Sequence, residues 1–273
     1  MKVILLTGAT DGIGKALINP LLELGYKVLI HGRSSEKVDA LVSEYQKKSN
    51  SNIEGYVADL GNFKEVQQMC EMILENQNQI DVILHNAGTY EKKLILNADD
   101  IEKTFAVNFV SNLLIDEKLF PLLNKNLNQR KEKDEYIKII FVSSIAHKSG
   151  IYNFSEWIRP KVYNGYYAYA NSKMAQIMYG YYLSREWGKY NILVNSLHPG
   201  VINTKILKEN FGVEGASVLS GIQTPLYLVT TEEKHTGKYF NNQREDQSSP
   251  ETYNQDFQKE LYTKTKELIE KYI

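Results

Sequence analysis

Short apolar runs alternate with longer amphipathic segments along this chain. Residues 2–7 are apolar at nearly every position, the pattern of a strand buried on both faces, and residues 13–24 carry apolar side chains at helical spacing up to Gly25. The pattern repeats, predicting strands at 27–30, 53–58, 80–84, 136–142 and 192–197. Helices are predicted over 35–48, 63–75, 99–123, 167–187 and 255–272. Strands separated by helices need parallel crossovers, so the expected fold is α/β: a doubly wound parallel sheet of about seven strands with helices on both faces.

No repeat or linker divides the sequence, which predicts one domain over residues 1–273. Two stretches resist assignment. Residues 145–168 form a long connection rich in aromatics and without clear periodicity, a candidate border for a substrate pocket. Residues 241–254 are polar and turn-like, and open a C-terminal extension over 241–273.

Bulk properties narrow the partners. A formal charge of -1 offers no electrostatic case for nucleic acid or an anionic membrane. Lys125, Arg130, Lys131 and Lys133 cluster, but Glu132, Asp134 and Glu135 interleave with them, as in a solvated connection. The single cysteine, Cys70, lies in a helical stretch and reads as a packed side chain; the reduced cytoplasm is the expected compartment. The first strand leaves no room for a targeting peptide, and no apolar run approaches the ~18 to 20 residues of a membrane helix.

Candidate chemistry begins at Thr7-Gly8-Ala9-Thr10-Asp11-Gly12-Ile13-Gly14, between the first strand and the first helix. Gly8 permits a tight turn, Gly12 lets backbone approach a diphosphate, and Gly14 allows close helix–strand packing, as in a Rossmann-type dinucleotide site. The helix N-terminus adds free amides and a positive dipole end. Gly8, Thr10, Asp11, Gly12, Ile13 and Gly14 are therefore the first candidates for cofactor contact. The second strand ends in His31-Gly32-Arg33-Ser34, with no carboxylate for a ribose 2′-hydroxyl and a guanidinium suited to a 2′-phosphate. NADP(H) is expected over NAD(H), with Arg33 as the discriminating residue.

Tyr169 and Lys173 stand one helical turn apart, so an ammonium lies beside a phenol that titrates near 10 in water and favours its ionisation. Tyr163, Tyr166 and Tyr167 lack a lysine at that offset and read as pocket wall or packing. Ser143 and Ser144 end the fifth strand on opposite faces, so only one can serve the substrate. His85, His147 and His198 have no partners at ligand spacing, and no metal is expected. His147 could border the pocket, and His198 could be structural.

These motifs, in this order, resemble the short-chain dehydrogenase/reductase family over most of the chain. Thr7 to Gly14 is similar to its T-G-x-x-x-G-x-G turn, and Asp59-Leu60 to its acidic-apolar pair. Asn86-Ala87-Gly88 is similar to its N-N-A-G segment, with His85 in place of the first Asn. Asn108, Ser144 and Tyr169/Lys173 fall at its helix asparagine, serine and Y-x-x-x-K positions. Pro199-Gly200-Val201-Ile202-Asn203-Thr204 is similar to its P-G-x-x-x-T. Ser143-Ser144-Ile145-Ala146-His147, the insertion before Tyr169, and Leu197-His198-Pro199-Gly200 most resemble the retinol dehydrogenase and WW-domain oxidoreductase branch, many of whose members carry an N-terminal membrane segment.

The resemblance implies hydride transfer between a nicotinamide and an alcohol or carbonyl carbon. The aromatic and aliphatic content of residues 145–168 and 205–219, the expected pocket segments, points to a lipophilic small molecule as substrate. Tyr169 would be the general acid/base, Ser144 would hold the substrate oxygen, and Lys173 would favour the phenolate and bond the nicotinamide ribose. Asn108 would anchor a relay water. Asp59 and Leu60 would lie near the adenine, with Asn86, Ala87 and Gly88 beneath the cofactor. Pro199, Gly200, Ile202 and Thr204 would lie on the nicotinamide side, and Ile202 and Thr204 would meet the carboxamide. Homodimers through the fourth and fifth helices are a further implication. The alternative is an NADP(H)-binding regulatory protein with little turnover, using Phe154, Trp157 and Tyr163 as a partner surface.

Overall fold

The apolar runs pair into a single sheet. In the computed structural model, which describes residues 1–48, 52–129 and 136–273, its strands are β1 (Val3–Leu6), β2 (Lys27–Gly32), β3 (Ile53–Val57), β4 (Val82–His85), β5 (Ile137–Val142), β6 (Ile192–His198), β7 (Lys238–Asn241) and β8 (Arg244–Asp246). They lie in the order β3-β2-β1-β4-β5-β6-β7-β8, all parallel except the β7/β8 pair. The order reverses between β1 and β4, which opens a crevice beyond their carboxyl ends.

Alternate side chains of each strand feed two cores. One face packs on α1 (Gly12–Glu23), α2 (Ser35–Lys48) and α10 (Gln223–Thr230) through Leu6, Val28, Ile30, Leu84 and Val142. The other packs on α3 (Phe63–Asn76), α5 (Ser111–Gln129) and α7 (Gly165–Trp187) through Leu5, Ile83, Ile139, Phe141 and Val194. Burial on both faces explains the continuous apolar strands. Lys138 interrupts one of them, and its ammonium reaches three carbonyls at the end of α10, of Leu228, Val229 and Thr231, at 2.9, 2.8 and 2.6 Å.

Four expectations need correction. The helix expected over 99–123 starts later and ends later: Asp100 has φ +60, Glu102 caps the amides of Thr104 and Phe105, and the one-turn α4 (Lys103–Phe105) passes through a π turn (Ala106–Val110) into α5. The connection 145–168 holds a 3-10 turn (Ile145–Ser149), the short α6 (Phe154–Ile158) and the first residues of α7, which Asn164 caps. Residues 241–254 contain β8, joined to β7 across Asn242 and Gln243, both at positive φ. That turn geometry usually announces itself with glycine, which this hairpin lacks. Three short helices also went unread between β6 and β7: α8 (Lys205–Asn210), α9 (Val218–Gly221) and α10.

The C-terminal helix α11 (Gln255–Ile269) lies across α5 and α7, where Tyr262 stacks on Tyr182 with ring centroids 4.5 Å apart and bonds Glu117 at 2.9 Å. Cys70 is fully buried, and burial pushes its thiol up, out of the reactive range. Arg130, Lys131 and Lys133 fall outside the described residues. Among the described residues no helix is long and apolar enough to cross a membrane.

Candidate active site

The crevice is built first by the turn after β1. Gly8 sits at φ +66, and a Cβ there would come within 2.7 Å of the Ala87 backbone; one at Gly14 would come within 2.2 Å of the Gly8 carbonyl. The turn is laced to the end of β4. Thr7 Oγ1 accepts the amides of Asn86 and Ala87, each at 3.0 Å, and Asn86 Nδ2 donates to the carbonyls of Thr7 and Gly8 at 2.9 and 3.1 Å. Asn86 and Ala87 thus brace the glycine turn from below.

His31 is a support that the motif reading missed. Its Nδ1 accepts the Gly8 amide at 3.2 Å, so the neutral ring carries its proton on Nε2 and donates it to the Ala58 carbonyl at 3.0 Å. Burial keeps the imidazole neutral by lowering its pKa. Only a search for a neutral donor–acceptor near the turn would have found it.

Gly32 tucks against Thr10, and Arg33 beside it is exposed with no carboxylate paired to it among the described residues. Asp59 accepts the Gly61 amide at 2.9 Å, and Leu60 is buried. Asp11 caps α1 through the Gly12 amide at 2.7 Å. Ile13 is buried, and on the far wall Thr204 caps α8 while its methyl group faces Gly12. A groove of about 590 Å³ runs between the glycine turn and α8, lined by Asp11, Gly12, Lys15, Thr204, Lys205 and Lys208 among others. Gly200 turns the chain at φ +99 after Pro199, and the Ile202 side chain packs inward on Gly221.

The four candidate catalytic residues converge beside this groove. Lys173 Nζ donates to the Val142 carbonyl at 2.9 Å and to Gln176 Oε1 at 3.0 Å, and lies 5.6 Å from the centre of the Tyr169 ring. A Cβ built on Gly88 would stand 3.6 Å from Lys173 Nζ and 3.5 Å from Asn108 Oδ1, so this glycine opens the crevice floor onto both. Asn108 Nδ2 bonds Ser172 Oγ at 2.9 Å and the Thr89 carbonyl at 3.0 Å. Ser144 hydrogen-bonds the Tyr169 phenol, whereas Ser143 Oγ is buried on the Lys173 carbonyl at 2.8 Å. The two serines, expected at the strand end, lie just past β5 and turn to different partners, with Ser144 also capping the 3-10 turn.

This constellation can be set beside known proteins. The model of the short chain dehydrogenase family matches residues 2–214. The chain belongs to the short-chain dehydrogenase/reductase family. Within it, the likeness is to the retinol dehydrogenase-like branch: retinol dehydrogenase 14 of Homo sapiens is 27% identical over 290 residues, covering 96% of this chain and 84% of that one. An uncharacterized oxidoreductase of Schizosaccharomyces pombe is 31% identical over 291 residues, covering 98% and 85%. A structure from Escherichia coli CFT073, complexed with NADPH, superposes with a TM-score of 0.70 at 23% identity, covering 89% of this chain and 97% of that one.

In this family member the electrostatics differ from the simple reading of the Tyr169/Lys173 pair. Burial pushes the Tyr169 phenol up to about 12, with the Ser144 hydrogen bond opposing, and pushes the Lys173 ammonium down to about 7. Desolvation disfavours each charged form, and at this separation the cation does not offset it. Burial here outweighs the pull of the neighbouring ammonium on the phenol.

Aromatic rings crowd the phenol. Tyr90 and Phe211 lie 5.7 and 6.0 Å from Tyr169, centre to centre, Phe211 stands 5.4 Å from Tyr90, and Tyr166 approaches Phe211 at 6.2 Å. Tyr90 and Phe211 carry no motif, and only the tertiary structure brings them here.

The three histidines are structural. His85 pairs with Asp116, its Nε2 2.8 Å from Oδ1, both fully buried, a partner 31 residues away in sequence. His147 does not border the pocket; it is buried, donating to the Ser144 carbonyl at 2.6 Å and accepting the Ser249 amide at 3.1 Å. His198 accepts the Ile145 amide at 3.3 Å. Of the residues suggested as a partner surface, Trp157 is buried against Phe105, while Phe154 and Tyr163 are half-buried, Tyr163 bonding the Glu91 carbonyl at 2.8 Å.

Proposed function

We propose that this protein reduces the carbonyl group of a lipophilic small molecule, using NADPH, with Tyr169 as the proton donor. The observation that carries the reading is the convergence of Tyr169, Ser144, Lys173 and Asn108 next to Gly88, at the strand-order reversal. The residues fit the cofactor: an open cradle at Gly88 beside Lys173 Nζ, a braced glycine turn at a helix N-terminus, and exposed Arg33 at the end of β2. Bound there, the nicotinamide would supply or accept the hydride.

The chain's own residues manage one proton. Ser144 orients the substrate oxygen and hydrogen-bonds the phenol; Tyr169, held protonated by burial, gives its proton to that oxygen as negative charge develops there. A phenol that stays protonated through neutral pH suits reduction better than oxidation. Lys173, with two donors committed to Val142 and Gln176, keeps its third for the crevice. Tyr90, Tyr166 and Phe211 supply an apolar wall, which supports a lipophilic substrate, and residues 145–168 border the same mouth through the 3.0 Å contact of Ser149 with Tyr166. α11 packs on both α5 and α7, the helices through which a homodimer would form.

The test is a panel of aldehydes, ketones and quinones with NADPH, run on the native protein and on Tyr169→Phe. Turnover by the native protein, cut at least a hundredfold in the variant with NADPH binding retained, supports the reading. Tight NADPH binding without any turnover favours the regulatory alternative.

A further inference from the structure

Behind Lys173, away from the crevice, the π turn and α5 meet α7 through a polar seam. Both helices follow parallel strands onto the same face of the sheet, so they run in the same direction. The first rung is direct, the 2.9 Å bond from Asn108 to Ser172. One turn on, Asn112 and Gln176 stand four residues beyond that pair and are fully buried. Further along, Asp116 bonds His85 and acts on the Tyr179 phenol.

Three polar atoms in this seam meet no hydrogen-bond partner: Gln176 Nε2, Asn112 Oδ1 and His85 Nδ1. Such atoms are rare in folded proteins, and several together mark a site for ordered water. The two amides are also fixed in orientation. Lys173 has only donors, so Gln176 must turn Oε1 toward it and Nε2 away. Asn112 Nδ2 donates to the Asn108 carbonyl at 2.8 Å, which turns its Oδ1 away from the π turn. A free donor and a free acceptor are thus left on adjacent rungs of the same register.

We propose that Gln176 is a positioning residue for Lys173, held from behind by an ordered water that bridges Gln176 Nε2 to Asn112 Oδ1. The circuit then runs from the Lys173 ammonium through Gln176, water and Asn112 to the Asn108 carbonyl, tying two candidate catalytic residues together. It rests on the functional reading given above. The Asp116–His85 pair and Tyr179 close the far end of the seam.

Gln176→Met removes the acceptor while keeping the volume. It should raise the NADPH dissociation constant, read by titration calorimetry, and lower kcat, each by about tenfold. Gln176→Glu, which keeps an acceptor for Nζ, should recover most of both. Asn112→Leu should reproduce the binding defect and add little to it in the double variant, since the two act through one water. A merely structural role would lower Tm and leave kcat and NADPH binding untouched, and that result overturns the proposal. A crystal structure of the native enzyme with no density between the two amides also overturns it, even if Gln176→Met does not fold. Turnover surviving in Tyr169→Phe would instead fell the functional reading.

Discussion

The imidazole of His31 holds the amide of Gly8 at 3.2 Å, fixing the glycine turn from the end of the neighbouring strand. The same ring reaches the Ala58 carbonyl at 3.0 Å, so one neutral side chain couples the ends of β1, β2 and β3. His31→Phe leaves the half-buried Gly8 amide and the buried Ala58 carbonyl without this partner, the buried one alone costing about 1–3 kcal/mol. NADPH affinity measured by calorimetry should fall about tenfold or more. Unaltered affinity in a folded variant would remove His31 from the cofactor site.

Arg33 tests the cofactor choice. The second strand ends without a carboxylate, and the guanidinium is exposed at the side where a 2′-phosphate would lie. A hydrogen bond to a charged group is worth about 1.5–3 kcal/mol, so Arg33→Ala should reduce the NADPH-over-NADH ratio of kcat/KM by roughly ten- to a hundredfold. A native enzyme that uses NADH as well as NADPH would contradict the assignment.

Phe211 stands against both Tyr169 and Tyr90, followed by Gly212 at φ +62. Phe211→Ala should raise KM for bulky apolar carbonyl compounds about tenfold by removing apolar contact, and change KM for small aldehydes little. Equal effects on both classes would mean that Phe211 does not line the substrate path.

His147 and His198 make stability depend on acid. Burial pushes each imidazole down to about 4 from an ordinary value of 6.5, and for His198 the neighbouring His147 adds to the effect. The unfolded chain takes up protons near pH 6.5 while the folded one resists until about 4. Stability is therefore whole above pH 6.5 and is lost as pH falls toward 4, by up to ~3 kcal/mol per ring. Urea midpoints at pH 7.5 and 5 should differ clearly, and the difference should shrink in His198→Asn. Equal midpoints in the native protein would show both rings to be already charged or exposed.

What could be read from the sequence was local. Continuous apolar strands, helical spacing and the glycine turn follow from steric and burial rules that act within ten or so neighbouring residues, and they led to the sheet, its crevice, and Tyr169 with Lys173. The start of the helix expected at 99 was misplaced because Glu102 caps it while Asp100 adopts a left-handed backbone, a competition invisible to periodicity. The β7/β8 hairpin escaped because Asn242 and Gln243 take the positive φ angles that glycine usually signals.

Tertiary structure alone decided the rest. His31 at Gly8, His85 at Asp116, Phe211 at Tyr169 and Gln176 behind Lys173 join elements whose approach depends on packing of the whole chain. The charge states followed the same rule: spacing put an ammonium near a phenol, but only the depth of burial determined which way each would titrate.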